Sequence, residues 1–366
     1  MSVLRAALDG LVPYEPGKPE EELQRELGLE RVVKLASNEG PWEPFPAALE
    51  ALEQSSHTLN RYPDGGAFHL RNALAERHGV DPANVITAAG ADAIIGHLSL
   101  ATLDPGDEVV TGWPSFISYV LDTLKLGAVP RQVPLVDNQY DLGALLDAIG
   151  PRTKLVYVAT PNNPTGTMTS RAELDAYFDR VPEHVLTVLD QAYFEYIEHP
   201  DYPDGVAEYL KAGRRVLVLR TFSKIYGLAG LRVGYGVGPA DVIGGIGKTR
   251  RAFDVSTQAQ VAALASMDQS SELAQRRRLT HEGREALAGT LREHGFEPAG
   301  PAVANFLFVE VGDDARPLYE ALLRQGAIVR PMGGFGAPGA LRITVGTPDE
   351  NAFFANALAS VRAATT

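Results

Sequence analysis

The chain has 366 residues, more than one compact core ordinarily holds, so its length points to two domains. Hydrophobic residues make up 45% and charged residues 22%, which excludes disordered and fibrous architectures. Lysine plus arginine (33) against aspartate plus glutamate (46) gives a net charge of −13, a balance that repels nucleic acid and anionic membrane surfaces, and the lack of cysteine removes disulfides, thiolate nucleophiles and metal–sulfur centres.

Residues 1–10 lack an apolar signal core, and no apolar run approaches the length of a membrane span. The expectation is a soluble, cytoplasmic chain. The first thirty-odd residues carry Pro13, Pro16 and Pro19, with Pro41 soon after, and read as an arm packing on another body. Continuous β-branched runs predict buried strands at 85–88, 108–111, 155–159, 185–189 and 216–219. Helical stretches at 91–103, 142–149 and 171–179 alternate with them, so an α/β fold with a mostly parallel sheet and helices on both faces is expected. Beyond about Ser256 the texture changes. A long polar helix at 272–294 precedes strand-like 306–311, helix-like 316–325, strand-like 328–329 and 341–345, and a closing helix near 351–363. The predicted division is an arm over 1–34, a large domain over 35–255 and a smaller α+β domain over 256–366.

Two motifs mislead. Gly334-Phe335-Gly336-Ala337-Pro338-Gly339 fits the dinucleotide fingerprint by letter, but no helix starts cleanly through Pro338 and a strand follows, so it reads as a turn. Gly247-Lys248-Thr249 resembles the end of a phosphate-binding loop whose first glycine position is Val242 instead. The histidines show no metal-ligand spacing; His57, His69, His78 and His97 are scattered, and no metal site is expected.

Ligands of open α/β sheets sit outside the carboxyl ends of the strands, where the unusual residues of this chain fall in turn. Gly90-Ala91-Asp92 opens a helix whose free N–H groups suit a phosphate. Thr160-Pro161-Asn162-Asn163-Pro164-Thr165-Gly166 brackets two amides with prolines. Asp190 precedes Ala192 and Tyr193, and Arg220-Thr221-Phe222-Ser223-Lys224 precedes Gly227, Gly230 and Arg232. Each has a plainer role when taken alone: a helix cap, a turn amide, a solvated lysine, or the serine–lysine nucleophile pair of a serine hydrolase. Together they match what pyridoxal phosphate requires. Its aldehyde calls for the amine of Lys224, its ring nitrogen for the carboxylate of Asp190, and its ring hydroxyl for Asn163 and Tyr193. Its phosphate calls for Gly90, Ala91 and Asp92 at the helix start, with Ser223 and Arg232. Phe116 is the candidate to cover one ring face, ordinary core packing being its alternative.

These residues resemble the fold-type I aminotransferases, and more narrowly the histidinol-phosphate aminotransferase family. The likeness runs nearly end to end. It includes Tyr14 with Pro16-Gly17-Lys18-Pro19, Lys34-Leu35-Ala36-Ser37-Asn38-Glu39, and Arg61-Tyr62-Pro63-Asp64-Gly65. The segment from Arg220 to Tyr235 around Lys224 is its most specific part; Asn305-Phe306 and Leu341-Arg342-Ile343-Thr344-Val345-Gly346-Thr347 come later in the chain. The resemblance implies a homodimer in which Tyr62 reaches the neighbour's cofactor phosphate. It implies that Arg342, with Asn38, meets the amino acid end of the substrate and that Tyr14 and Arg330 meet its far, phosphate-bearing end, a packing or surface role being open for the latter two. It further implies transamination of histidinol phosphate with 2-oxoglutarate in histidine biosynthesis, with Lys224, Asp190 and Tyr193 as the catalytic set. An aromatic amino acid aminotransferase, a phospho-amino-acid decarboxylase of the same fold, and a non-catalytic scaffold are the competing readings. The chain departs from the family's usual Glu at Gln191, its frequent Tyr at Phe116 and its common acidic residue at Ala93.

Overall fold

A computed structural model describes residues 3–12 and 17–364. Tyr14 lies outside the described residues. After a short helix α1 (Glu20–Leu27), strand β1 (Val33–Lys34) leads to α2 (Pro46–Ser55) and α3 (Phe68–His78). The alternating region comes next: β2 (Val85–Ala88), α4 (Ala91–Thr102), β3 (Glu108–Trp113), α5 (Ile117–Lys125), β4 (Val129–Pro134), α6 (Leu142–Asp147), β5 (Thr153–Ala159), α7 (Arg171–Phe178), β6 (Leu186–Asp190), β7 (Val216–Thr221) and β8 (Gly234–Val237). Helices α8 (Ala240–Thr249), α9 (Thr257–Ser266) and α10 (Ser270–Glu293) lead to β9 (Phe306–Glu310), α11 (Arg316–Arg324), β10 (Ala327–Ile328), β11 (Arg330–Pro331), β12 (Ala340–Thr344) and α12 (Pro348–Ala363).

Among the described residues the large sheet has seven strands in the order β2-β8-β7-β6-β5-β3-β4. Strands β7 through β4 run parallel, as their apolar runs imply, and every position of β2, β6, β7 and β8 is buried because helices cover both faces. Strand β8 runs antiparallel between β2 and β7. Gly234 therefore pairs with both Ala88 and Thr221, which draws the ends of β2 and β7 and the start of β8 to one point. The apolar pattern does not reveal the edge strand β4. Pro130 and Pro134 interrupt its pattern and its outward positions are exposed, which an edge strand tolerates and a central one does not.

The smaller body holds the antiparallel sheet β11-β12-β9 against α10, α11 and α12. Its core joins Leu307, Val309, Leu341 and Ile343 of the sheet to Leu287, Leu322 and Phe354 of the helices. Strand β1 pairs with β10 and places Val33 and Leu35 in this core, so the N-terminal segment packs on the smaller body. Ala259, Ala262 and Ala263 of α9 belong to the larger core and Leu273 of α10 packs against it, whereas Leu287, Ala288 and Leu291 of α10 serve the smaller one. Two helix starts are built by reciprocal capping, Ser170 with Glu173 and Thr347 with Glu350. The glycine-rich 334–339 segment forms a tight turn into β12, and Lys248-Thr249 closes α8. No described helix is long and apolar enough to cross a membrane.

Candidate active site

The carboxyl ends of the large sheet open onto a cavity of about 190 Å³ at its junction with the small sheet. Its wall contains Asn38, Ala91, Asp92, Phe116, Asn163, Asp190, Tyr193, Ser223, Lys224, Arg232 and Arg342. Residues spread over more than three hundred positions thus meet on one hollow. Asp190 ends β6 and Lys224 lies just beyond β7, so these neighbouring parallel strands bring carboxylate and amine together.

One end of the cavity is built where β8 joins β2. Gly90, at φ +93 and ψ 161, turns the chain from β2 into α4, and a Cβ there would stand 2.5 Å from Nη2 of Arg232. The first N–H groups of α4, at Ala91 and Asp92, have no acceptor within the helix, and both residues line the cavity. Arg232 Nη1 lies 3.4 Å from Ser223 Oγ. A cradle of helix N–H groups, hydroxyl and guanidinium suits a dianionic phosphate. Asp92 enters it through its backbone; its carboxylate accepts a 2.5 Å hydrogen bond from Ser118 Oγ.

Three side chains at the centre are electrically unusual. Burial pushes the Lys224 amine down to about 8, with the Arg342 guanidinium the next cause, which makes it a base near neutral pH. Its Nζ stands 5.5 Å from the centre of the Tyr193 ring. Burial raises the Asp190 carboxyl, opposed by a 2.6 Å hydrogen bond from Tyr119 Oη to Oδ2 and a 3.1 Å bond from the Ala192 N–H to Oδ1. Burial likewise pushes the Tyr193 phenol up to about 12, so it is a neutral hydroxyl, and it accepts a 3.0 Å hydrogen bond from Asn38 Nδ2. Asn38, with φ 55, is tied in turn to Thr344 of β12 through its backbone N–H and its Oδ1.

Arg342, 4% exposed on β12, donates to Asn163 Oδ1 at 2.5 Å and to the Ala36 carbonyl at 2.7 Å. It links the small sheet to the turn after β5. Phe116 caps the start of α5, packs against the larger core and lines the cavity.

Two expected residues do not line this cavity. Tyr62 is 82% exposed and stacks on Phe253 at 4.6 Å, on the outer surface. Arg330, paired in register with Arg342 on the neighbouring strand, lines an adjoining hollow of about 800 Å³, separated from the first by Phe335. Sequence reasoning missed Phe335 and Tyr119. Tyr119 lies one turn beyond Phe116 on α5, a spacing that could have marked it. The departure at Gln191 has a local account: Nε2 donates to Pro203 O at 2.8 Å and Tyr202 Oη at 3.2 Å, while Oε1 accepts from Arg220 Nη2 and the Gly205 N–H, both at 3.2 Å. An amide meets this mixture of donors and acceptors where a carboxylate lacks the donors.

The family model for aminotransferase class I and II matches residues 30–358. The chain belongs to this family. A histidinol-phosphate aminotransferase of Moorella thermoacetica is 43% identical over 360 residues, 98% of this chain and 93% of that one. Among solved structures, the histidinol-phosphate aminotransferase of Sinorhizobium meliloti in complex with pyridoxal-5'-phosphate superimposes with a TM-score of 0.91 at 28% identity, covering 100% of this chain and 99% of that one. The aspartate aminotransferase of Thermus thermophilus with maleate gives 0.85 at 25% identity over 100% of both chains. The α/β fold with its seven-stranded mixed sheet and small antiparallel sheet is that of these class I and II aminotransferases.

Proposed function

We propose that the protein is a pyridoxal phosphate-dependent aminotransferase that transfers the amino group of histidinol phosphate to 2-oxoglutarate. The observation that carries this reading is one cavity lined by the Lys224 amine, the Asp190 carboxylate and the glycine-opened cradle at Gly90 and Arg232. Full-length relatives at 41–43% identity that are histidinol-phosphate aminotransferases support the substrate.

The residues fit the cofactor. The space beside Arg232 exists only because position 90 has no side chain, and the donors around it are those a phosphate requires. Bound pyridoxal phosphate supplies an aldehyde that takes up the amino group and a ring that withdraws electrons from the neighbouring carbon. Gly90, Ala91, Asp92, Ser223 and Arg232 would hold its phosphate, Asn163 and Tyr193 its ring hydroxyl, Asp190 its ring nitrogen, and Phe116 one ring face. Lys224, with its lowered proton affinity, accepts the proton leaving the substrate α-carbon and returns it on the other side of the transfer. Arg342 receives the carboxylate of 2-oxoglutarate through paired N–H groups, and the same enclosed site admits the phosphorylated CH2–O group that stands in place of a carboxylate in histidinol phosphate. Asn38 steadies Tyr193 and the substrate end together, and Arg330 with Tyr14 serves the phosphate-bearing end.

A homodimer belongs to the same proposal. Tyr62 and Phe253 form an exposed aromatic pair, 82% and 46% accessible, beyond reach of their own cavity and suited to a second copy. Sedimentation at twice the chain mass, with weaker cofactor binding in Tyr62→Phe, tests it; a monomer refutes it.

A donor panel of histidinol phosphate, phenylalanine and aspartate, each with 2-oxoglutarate, tests the function. Glutamate forms fastest from histidinol phosphate, and Lys224→Ala abolishes both turnover and the visible band of the holoenzyme. Preference for phenylalanine, or release of carbon dioxide, refutes the substrate; an unchanged spectrum in the lysine variant refutes the site.

A further inference from the structure

The proposed chemistry uses Asp190 as an anion, yet much of its surroundings opposes that state. The side chain is buried, and the Asp92 carboxylate on α4 raises its proton affinity further. Acting the other way are Tyr119 on α5, the Ala192 N–H and the Lys224 amine. Lys224 is the amine engaged by the cofactor, and its own proton is weakly held. The Ala192 N–H is a fixed part of the turn after β6. Tyr119 is therefore the side chain whose removal would change the balance.

Its setting is specialised for this one contact. Tyr119 is 1% exposed, and among the described residues the partner to which its hydroxyl donates is Asp190 Oδ2, at 2.6 Å. Its ring lies flat on Tyr157 of β5, centroids 4.3 Å apart at 12°, and edge-on to Phe116 at 5.6 Å and 82°. Clamped between the two, the phenol has no freedom to turn away from Asp190. Tyr140 is the other buried phenol facing it, and it engages Ser115 at 2.7 Å instead. Burial drives the Tyr119 phenol far above its ordinary range, so it acts as a donor at every working pH.

From this geometry we propose that Tyr119 is a positioning residue: its hydroxyl keeps Asp190 ionised and aimed, and through Asp190 keeps the shared proton on the ring nitrogen of the cofactor. The inference rests on the pyridoxal phosphate reading above. Losing the donor makes the carboxyl more basic, which moves the proton from ring nitrogen to Asp190 and weakens electron withdrawal.

Tyr119→Phe removes one oxygen and keeps both ring contacts. The test is the NMR shift of the ring nitrogen in holoenzyme reconstituted with pyridoxal phosphate labelled at that atom. In the wild type the resonance is that of a protonated pyridine. In Tyr119→Phe it moves toward the neutral position and kcat falls on the order of ten- to a hundred-fold, the weight of one hydrogen bond to a charged group. Tyr157→Phe, which alters the stacking partner's hydroxyl, leaves the resonance unchanged, and Tyr119→His, which restores an N–H donor, returns it toward the wild-type position. A resonance in Tyr119→Phe that matches the wild type overturns the inference even if kcat falls, because the loss is then merely structural. Should the phenylalanine variant not fold, the histidine variant decides: a neutral-type resonance there refutes the donor role. Wild-type protein that takes up no cofactor sinks the cofactor reading and this inference with it, whereas uptake with a nitrogen insensitive to Tyr119 sinks this inference alone.

Discussion

Gly90→Ala attacks the anion cradle with a single methyl group. The backbone there, at φ +93 and ψ 161, lies in a region nearly restricted to glycine, and forcing an alanine into it costs about 1–3 kcal/mol of folding stability. The new Cβ would also stand 2.5 Å from Arg232 Nη2 and 3.2 Å from its Cζ. The guanidinium is the mobile end of a long side chain, so it yields before the backbone does and leaves the place where it meets phosphate. One charge-assisted hydrogen bond is worth about 1.5–3 kcal/mol, so the dissociation constant for pyridoxal phosphate should rise roughly ten- to a hundred-fold. Gly213→Ala is the matched control: its φ is +82, and a Cβ there meets nothing within 4 Å. Both variants should lose stability in urea, and only Gly90→Ala should lose cofactor affinity in a fluorescence titration of the cofactor-free protein. Equal affinities in the two would refute the cradle argument, since they would mean that Arg232 contributes nothing the methyl can displace.

Asp190→Asn keeps an acceptor for Tyr119 but removes the charge, and it should retain the cofactor while lowering kcat about 100-fold or more in steady-state assays; wild-type turnover would contradict the electrostatic role. Arg342→Lys gives up the paired N–H geometry now spent on Asn163 and Ala36, so KM for 2-oxoglutarate should rise about tenfold or more, and an unchanged KM would remove Arg342 from carboxylate recognition. Lys224 gives cofactor-free protein a pH signature. Its amine titrates near 8 when folded and near 10.5 when not, so between those values the unfolded chain binds the extra proton and stability rises with pH. The difference in unfolding free energy between wild type and Lys224→Met should grow by about 1.4 kcal/mol per pH unit in that window, and a flat difference would show that the amine is not buried enough to matter.

Strands β5, β6 and β7 were legible because parallel strands covered on both faces must be apolar throughout, and their ends carried Asn163, Asp190 and Lys224 with them. Strand β4, exposed and proline-bearing, offered no such run. Strand β8 is rich in glycine and lay inside a stretch read for chemistry, so the antiparallel turn that brings Arg232 to Gly90 was hidden even though both residues were singled out. The hydrogen bond from Tyr119 to Asp190 spans 71 positions and depends on how α5 leans on β5, a packing detail that periodicity does not encode. Helix α9 shares the helical texture of α10, yet its alanines serve the larger core. Local pattern reports an element and its buried face, but not which of two cores that face will join.

The division of labour between the two sheets has an evolutionary consequence. Groups suited to handling the cofactor hang from the ends of the seven-stranded sheet, whereas Arg342 and Arg330 sit side by side on two short strands of the other body. On the roles proposed above, selection can retune which molecules are accepted by editing the compact stretch from Arg330 to Arg342, while the residues at the ends of the larger sheet stay untouched. Grafting that hairpin between relatives would be a direct way to swap appetites without rebuilding the engine.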